Sequence, residues 1–515
     1  MNRKTVNQQN FDLIVVGAGS GGSVVAARVS EDPRISVLLI EAGPDYPNLE
    51  ALPEDLQNVN HGSFFDHDWK LGYQPSATSR VGIPFARGRV TGGSSAVNTA
   101  IALRGVPSDY DEWAKLGNPE WSWEKVLPAF CKLETDLDFD GPYHGKTGPI
   151  PIRRHPREEL VPYQAACLDG FHELGYPDCP DHNDPTSTGA GAHPMNKRGR
   201  LRISTAIAYL AAARERANLH ILADTDVLRV IFKDGAVSGV EVRTKGNVET
   251  IDAKNVVLAA GAIHTPPILI RSGIGPRAVL DRLGISVTHE LAGVGEHLQD
   301  HPAIGPTLIP KEGIADWDQP VIQTTLRYTA TESSDFNDMQ LEPLSFMHIP
   351  GAGTLLLGLA ACVFKSYSYG RLVFESADVD ARPRIEMCYL SDDRDYEKIR
   401  DGLMRGMDLV ETKAVRAVHD GVRRPTSDEL SKPDVLERFI RRNCATGAHP
   451  SCTARMGPAD DPTAVVDQRG LVHGLRGLRI ADASIMPRVP SANTNIPTIM
   501  IGERMGAWVR EELSS

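Results

Sequence analysis

The first apolar run of the chain, Leu13–Val16, breaks into glycine at positions 17, 19, 21 and 22. A stretch of helical character follows, then a second apolar run that ends at Glu41. The order is strand, glycine-rich turn, helix, strand, acid. A third β-like run, Val256–Leu258, ends in small residues and glycine. Before it, Leu219–Leu222, Val227–Phe232 and Val237–Val242 alternate as strands do. Turn signals at Lys233-Asp234-Gly235 and Lys245-Gly246-Asn247 separate the later runs and predict a small antiparallel meander. Helical periodicity predicts helices at Trp123–Glu134, Ala206–Arg216, Asp395–Thr412, Lys432–Arg442 and Thr498–Glu512. From Asp300 to Asp380, β-forming residues dominate. Strand–turn–helix pieces thus recur early, in the middle and near the C-terminus. They predict an α/β unit assembled from 1–155, 201–300 and 445–515. A second, α+β unit is expected from 156–200 and 301–444, with a largely antiparallel sheet and flanking helices.

The glycines make the first unit a Rossmann-type dinucleotide site. Gly17, Gly19 and Gly22 supply G-x-G-x-x-G. The first permits a tight turn, the second a close approach of backbone to pyrophosphate, and the third close helix–strand packing. The helix start beyond them offers unpaired N–H groups to phosphate. Glu41 stands where a carboxylate can accept from ribose hydroxyls, and an acid there disfavours a 2′-phosphate. Gly17, Gly19, Ser20 and Gly21 are expected along the pyrophosphate.

Bulk properties narrow the partners. The chain has 515 residues, 41% of them hydrophobic, with a net charge of −12, which argues against nucleic acid or an anionic membrane as main partner. No apolar stretch approaches about 18 residues, so no membrane-spanning helix is expected. Seven scattered cysteines without a C-x-x-C pair argue against a disulfide framework and fit a reducing, cytoplasmic setting. Met1 to Asn10 is polar, lacks a signal-peptide core and is expected to be a disordered lead-in.

A second glycine-rich loop runs from Arg87 to Asn98, Arg-Gly-Arg-Val-Thr-Gly-Gly-Ser-Ser-Ala-Val-Asn, and suits close backbone approach to a large ligand. Here the chain resembles the glucose–methanol–choline family of FAD-dependent oxidoreductases. Gly88–Asn98 resembles its first signature and Gly261–Gly275 its second. Gly293-Val-Gly-Glu-His-Leu-Gln-Asp-His301, Asp482-Ala-Ser-Ile-Met-Pro and Asn493-Thr-Asn-Ile-Pro-Thr498 resemble further family segments. The likeness covers almost the whole chain and is strongest to compact bacterial members of the choline-dehydrogenase and hydroxymethylfurfural-oxidase type. Thr91 departs from the aliphatic residue usual before the paired glycines. Where some members attach flavin to a histidine, this chain has Val97, so the resemblance implies noncovalent FAD.

The resemblance implies alcohol oxidation, in which a base removes the hydroxyl proton as hydride passes to the flavin. A neutral imidazole suits that base. The family's active-site histidine maps onto His449, in Ala448-His449-Pro450-Ser451, and its partner position onto Asn493. Implied flavin contacts are Val227 at the adenine, Gly92, Gly93, Asn98 and Thr99 beside the isoalloxazine, and Asp482, Ala483, Asn493 and Pro497 from the C-terminal side. No metal is expected, although His297 and His301 have i,i+4 spacing. Cys444 and Cys452 read as inert buried thiols, and Asp392-Asp393 and Asp460-Asp461 as solvated turn charges. Val321–Met347 and the loop near 351–357 are expected to shape a partly apolar pocket, which favours aryl, furanic or small aliphatic primary alcohols. The electron acceptor could be oxygen, a quinone or a redox protein. A flavoprotein lyase or fatty-acid photodecarboxylase is the alternative on the same fold, and a catalytically silent flavin module a third reading.

Overall fold

The computed structural model describes residues 10–76, 79, 82–348 and 353–515. The polar lead-in at 1–9 and positions 351–352 of the expected pocket loop lie outside the described residues. At the centre is a five-stranded, all-parallel sheet. Its strands are β1 (Leu13–Val16), β2 (Val37–Ile40), β3 (Leu219–Leu222), β4 (Val256–Leu258) and β5 (Leu478–Ile480), in the order β3-β2-β1-β4-β5. Strands β1, β2, β4 and β5 are buried at every residue; the first three read as unbroken apolar runs, whereas β5 carries Arg479, which pairs with Glu512 at 2.6 Å. Only Leu219 of edge strand β3 is fully buried, and this strand carries the polar His220 within its run. It joins this sheet, whereas the meander consists of Thr225–Lys233, Ala236–Thr244 and Asn247–Asp252. Its two turns place Asp234-Gly235 and Lys245-Gly246 at positive φ, the twist that two-residue hairpins require.

Helix α1 (Gly22–Val29) follows the first glycine turn, α2 (Gly261–Arg271) the second strand–helix junction, and α3 (Asn495–Ser514) comes after β5. Buried Glu503 ties α3 to its neighbours. It pairs with Arg28 at 2.7 Å, accepts from the Tyr209 hydroxyl at 2.8 Å and meets Lys132 at 3.1 Å. The helix predicted over Ala206–Arg216 is shorter, with a π-turn at Ala206–Leu210 and one α-turn at Ala211–Ala213. Its start is pinned, because the Thr205 N–H donates to Ser95 Oγ at 3.0 Å.

The second sheet is antiparallel, with neighbours in the order His419–Arg424, Thr307–Pro310, Leu356–Val363, Met339–Met347, Thr324–Tyr328 and Gly189–Ala192. Helices Pro162–Glu173 and Asp393–Val410 cover one face, the latter packing Ile399 and Leu403 into a core with Leu326, Met339, Leu341 and Leu359 of the strands. Asp392 caps the second of these helices by accepting from Arg394 N, so this acid of the pair has a structural partner. Two segments cross the expected boundaries. Ala445–Thr446 pairs with Pro302–Ile304 in the antiparallel sheet. Arg371–Val373 and Arg384–Glu386, expected in the second unit, form a four-stranded sheet with Leu71–Gln74 and Ile83–Phe85. Leu372, Phe374, Ile385 and Met387 thereby enter the nucleotide-side core. Among the described residues, no helix is long and apolar enough to cross a membrane.

Candidate active site

A cavity of about 750 Å³ runs from the first glycine turn, past the Gly88–Asn98 loop, to His449 and Asn493. Of the residues singled out in the sequence, Gly17, Gly19, Ser20, Gly21, Glu41, Gly93, Asn98, Thr99, Val227, Asp482, Ala483, His449 and Asn493 line it. Gly22, Gly92 and Pro497 do not. Gly22 faces the protein: a Cβ there would stand 1.9 Å from the Gly17 carbonyl oxygen. Gly92 points at Ala96 and Ala206, and Pro497 is buried in the first turn of α3.

The two glycine loops touch without side chains between them. A Cβ on Gly93 would lie 2.7 Å from Gly19 Cα. At Gly17, φ is +97° and a Cβ would meet the Ala259 carbonyl at 2.6 Å, so a side chain is barred twice. The second loop is held from behind by Arg202, a buried residue missed in the sequence. Its guanidinium donates to the carbonyls of Asn98, Ala96, Asp55, Leu56, Asn58 and His61 at 2.6–3.0 Å. Thr91 is buried in this loop with Oγ1 unpaired among the described residues. The Ser20 hydroxyl donates to Asn495 Oδ1 at 2.8 Å, joining the first loop to α3. A long cleft with a bare glycine floor, an acid at one end and a histidine at the other fits FAD. Asn495, Thr498, Trp69, His264, Arg271 and Arg382 also line it. Asn495 and Thr498, inside the Asn493–Thr498 segment, and His264 and Arg271, inside Gly261–Gly275, were findable; Trp69 and Arg382 are brought in by tertiary folding.

Glu41 is buried at the end of β2. Its carboxylate accepts from Ala18 N and Gly43 N, each at 2.9 Å. Burial outweighs these bonds and pushes its pKa up to about 7. An unfolded glutamate ionises near 4.5, so the folded apoprotein keeps a proton the unfolded chain has lost. Its stability should therefore fall as pH rises through the window from 4.5 to 7, and level off above it. We expect apoprotein urea melts of wild type and Glu41→Gln to diverge by about 3 kcal/mol between about pH 5 and 8, wild type losing ground. Parallel pH profiles would remove Glu41 as the cause. Asp482 also has a raised pKa from burial. Its oxygens are engaged by Gly261 N at 2.9 Å, Thr265 Oγ1 at 2.6 Å and Ser484 N at 2.8 Å, so it anchors the start of α2.

At the other end, Asn493 Nδ2 lies 3.1 Å from His449 Nε2. His449 Nδ1 lies 3.0 Å from His301 Nδ1, and His301 Nε2 lies 3.1 Å from the Pro490 carbonyl. Asp300 organises the loop below. Its Oδ1 accepts from His301 N at 2.8 Å and His449 N at 2.7 Å. Its Oδ2 accepts from the Tyr389 hydroxyl at 2.5 Å and from Thr446 Oγ1. Ala448, just before the histidine, sits at φ +66°, and its carbonyl accepts from Arg87 at 2.8 Å. Burial pushes the His449 imidazole well below its ordinary value, and His301 and Arg87 add to the effect. The ring is neutral near pH 7 and can take up a proton. Asn493 Oδ1 is buried without a partner among the described residues.

The expected pocket stretch contributes less than its composition suggested. From Val321–Met347 only Glu342 lines the cavity. Leu341 faces the opposite core, Leu344 packs on Ile101 and Ile322, and Phe346 lies against Trp317. Apolar lining comes instead from Phe64, Phe65, Ile101, Val97 and Pro450.

Other titratable groups have structural partners. His264 stacks on Trp69 at 4.2 Å, and burial and neighbouring arginines lower it to about 3. His297 and His301 lie in a loop with isolated bridges at Leu298 and Gln299, so their spacing gives no shared helix face. Cys452 contacts Gln299 Oε1 at 3.6 Å, and burial pushes both Cys444 and Cys452 thiols up. Outside the cavity, Glu134, Asp136 and His144 converge in a metal-like cluster. Burial there opposes a charged ring, yet Asp136, Asp181 and Glu134 raise His144 to about 11. With Arg104 and Arg154, the imidazolium balances the three carboxylates.

GMC oxidoreductase family models match residues 11–303 and 366–502. The chain is 36% identical over 527 residues to a 5-(hydroxymethyl)furfural oxidase of Methylovorus sp. strain MP688, covering 96% of this chain and 98% of that one. It is 36% identical over 552 residues to an oxygen-dependent choline dehydrogenase of Chromohalobacter salexigens, covering 98% and 95%. The solved pyridoxine 4-oxidase from Mesorbium loti superposes with a TM-score of 0.90 at 29% identity, over 98% of this chain and 99% of that one. The chain belongs to the GMC oxidoreductase family. It is an FAD-dependent alcohol oxidoreductase.

Proposed function

We propose that this enzyme oxidises a primary alcohol, aryl, furanic or small aliphatic, to the aldehyde, with FAD held noncovalently. The observation that carries the reading is a neutral histidine beside an asparagine, 3.1 Å apart, in the same cavity as the glycine turn. His449 Nε2 receives the hydroxyl proton, and Asn493 holds the substrate oxygen. FAD, when bound, supplies the two-electron acceptor for the hydride leaving the α-carbon. Oxygen, a quinone or a redox protein then takes those electrons. Val97, at the cavity wall, offers no nucleophile for a bond to flavin. Glu41 would hold ribose hydroxyls, and the Gly17–Gly21 turn the pyrophosphate. Val227 would meet the adenine edge, with Gly93, Asn98 and Thr99 beside the flavin ring and Ala483 behind it.

Anaerobic titration of the FAD-loaded enzyme with primary alcohols tests this, and bleaching of the oxidised-flavin band is the expected result. A band that survives every alcohol would sink the reading. The apolar wall with Glu342 in it further suits an alcohol whose far end donates a hydrogen bond. Glu342 is braced by Gln340 Nε2 at 2.8 Å. We expect about a tenfold higher kcat/KM for 2,5-bis(hydroxymethyl)furan than for furfuryl alcohol, with the preference erased in Glu342→Leu, which has no acceptor, and partly kept in Glu342→Gln, whose amide oxygen still accepts.

A further inference from the structure

His301 takes no part in the alcohol chemistry above, yet its buried ring touches the base. The proton positions in that contact follow from simple constraints. The Pro490 carbonyl, 3.1 Å from His301 Nε2, can only accept, so Nε2 carries hydrogen. Burial lowers His301 to about 4, so the ring is neutral and this is its one N–H hydrogen. Its Nδ1 is bare. Two bare nitrogens would repel at 3.0 Å, so the hydrogen of neutral His449 lies on its Nδ1 and points at His301. The Asn493 amide nitrogen, facing His449 Nε2, agrees with a bare nitrogen there.

We infer that His301 is a positioning residue that reads the Pro490 carbonyl and forces His449 into its Nδ1–H tautomer, leaving Nε2 an acceptor, facing Asn493 Nδ2 in this structure and taking the hydroxyl proton once alcohol is bound. An isolated imidazole prefers its hydrogen on Nε2, so the relay opposes the intrinsic preference. The surroundings keep both rings in register. Phe364 stacks on His301 at 4.5 Å and 17°, and Asp300 Oδ1 fixes both backbones. The inference rests on His449 acting as the base.

Two replacements of this histidine separate relay from scaffold. An asparagine at the position keeps an acceptor where Nδ1 stood, whereas a glutamine reaches only toward Pro490. In FAD-loaded protein, His301→Asn should reduce its flavin with alcohol within about threefold of wild type, and His301→Gln about 30-fold more slowly. Equal losses in both, at equal FAD content and folding, would overturn the relay. Solid-state NMR of the FAD-loaded, 15N-histidine protein reads the tautomer directly, with His449→Gln giving the assignment by difference. The expected spectrum has His449 Nδ1 protonated and Nε2 bare; a protonated Nε2 at neutral pH would overturn the inference. That readout needs no turnover, so it stands even if His449 proves not to be the base.

Discussion

His449→Ala, purified with a full complement of FAD, should reduce its flavin with alcohol about 10²–10⁴-fold more slowly than wild type. The loss is that of a general base whose geometry is already set. His449 Nε2 faces the cavity beside Asn493, and burial keeps the ring neutral at working pH. Among the described residues, no other histidine is placed to replace it. His264, the second histidine lining the cavity, is stacked on Trp69 and lowered to about 3 by burial and arginines. His301 spends both nitrogens on Pro490 and His449. Stopped-flow absorbance at the flavin band makes the measurement. An unchanged rate in folded, FAD-replete protein would refute the role. Because the base is neutral well below pH 7, the wild-type rate should stay flat from about pH 8 down toward pH 6; a fall across that range would place the ionisation elsewhere.

Asp300→Ala should damage folding and catalysis together. Two backbone N–H groups and two hydroxyls converge on this carboxylate, and the backbone donors belong to His301 and His449 themselves. Each orphaned buried donor costs about 1–3 kcal/mol, and water admitted to the gap recovers part, so a loss of about 3–5 kcal/mol in urea unfolding is expected. The loop that carries Ala448 at positive φ would relax, and the base would drift from its partner. Flavin reduction should fall about 10²-fold, since small misplacements of a reacting group cost that much. Asp300→Asn keeps the volume but turns an amide toward donors, so it should recover stability only in part. A stable Asp300→Ala protein with normal flavin reduction would show that Asp300 is dispensable.

Much of the fold was legible because its signals are local. Buried parallel strands are short apolar runs, and the meander's turns are written in Asp234-Gly235 and Lys245-Gly246. Sequence-distant partnerships were not. Leu372, Phe374, Ile385 and Met387 sit in a segment that resembles its β-rich neighbours, and only pairing with Leu71–Gln74 reveals which core they enter. Arg202 carries no motif, since its partners are six main-chain carbonyls. Glu342 reads as one polar position in an alternating strand, and alternation says that it leaves the core at Leu341 without saying that a cavity waits on the other side. His301 was noticed for a spacing to His297 that the loop makes irrelevant; its real neighbour lies at position 449. Pocket composition misled for the same reason, because the Leu and Phe of 341–346 are spent on other packing.

The sheet order has a consequence for synthesis of the protein. Strand β5 is the last of the five to leave the ribosome, yet it pairs with β4 at one edge of the nucleotide sheet, and Ala481 just beyond it packs on Gly21. Helix α3 then closes over α1. A nascent chain that stops short of β5 therefore holds the glycine turn, the meander and the antiparallel sheet, but has an open edge at β4 and an uncovered helix face. Bringing together partners so far apart in sequence is slow, and an unpaired edge invites association with other chains. FAD capture is thus expected to wait until β5 has paired with β4, and a chain cut before Ile480 should aggregate rather than bind the cofactor.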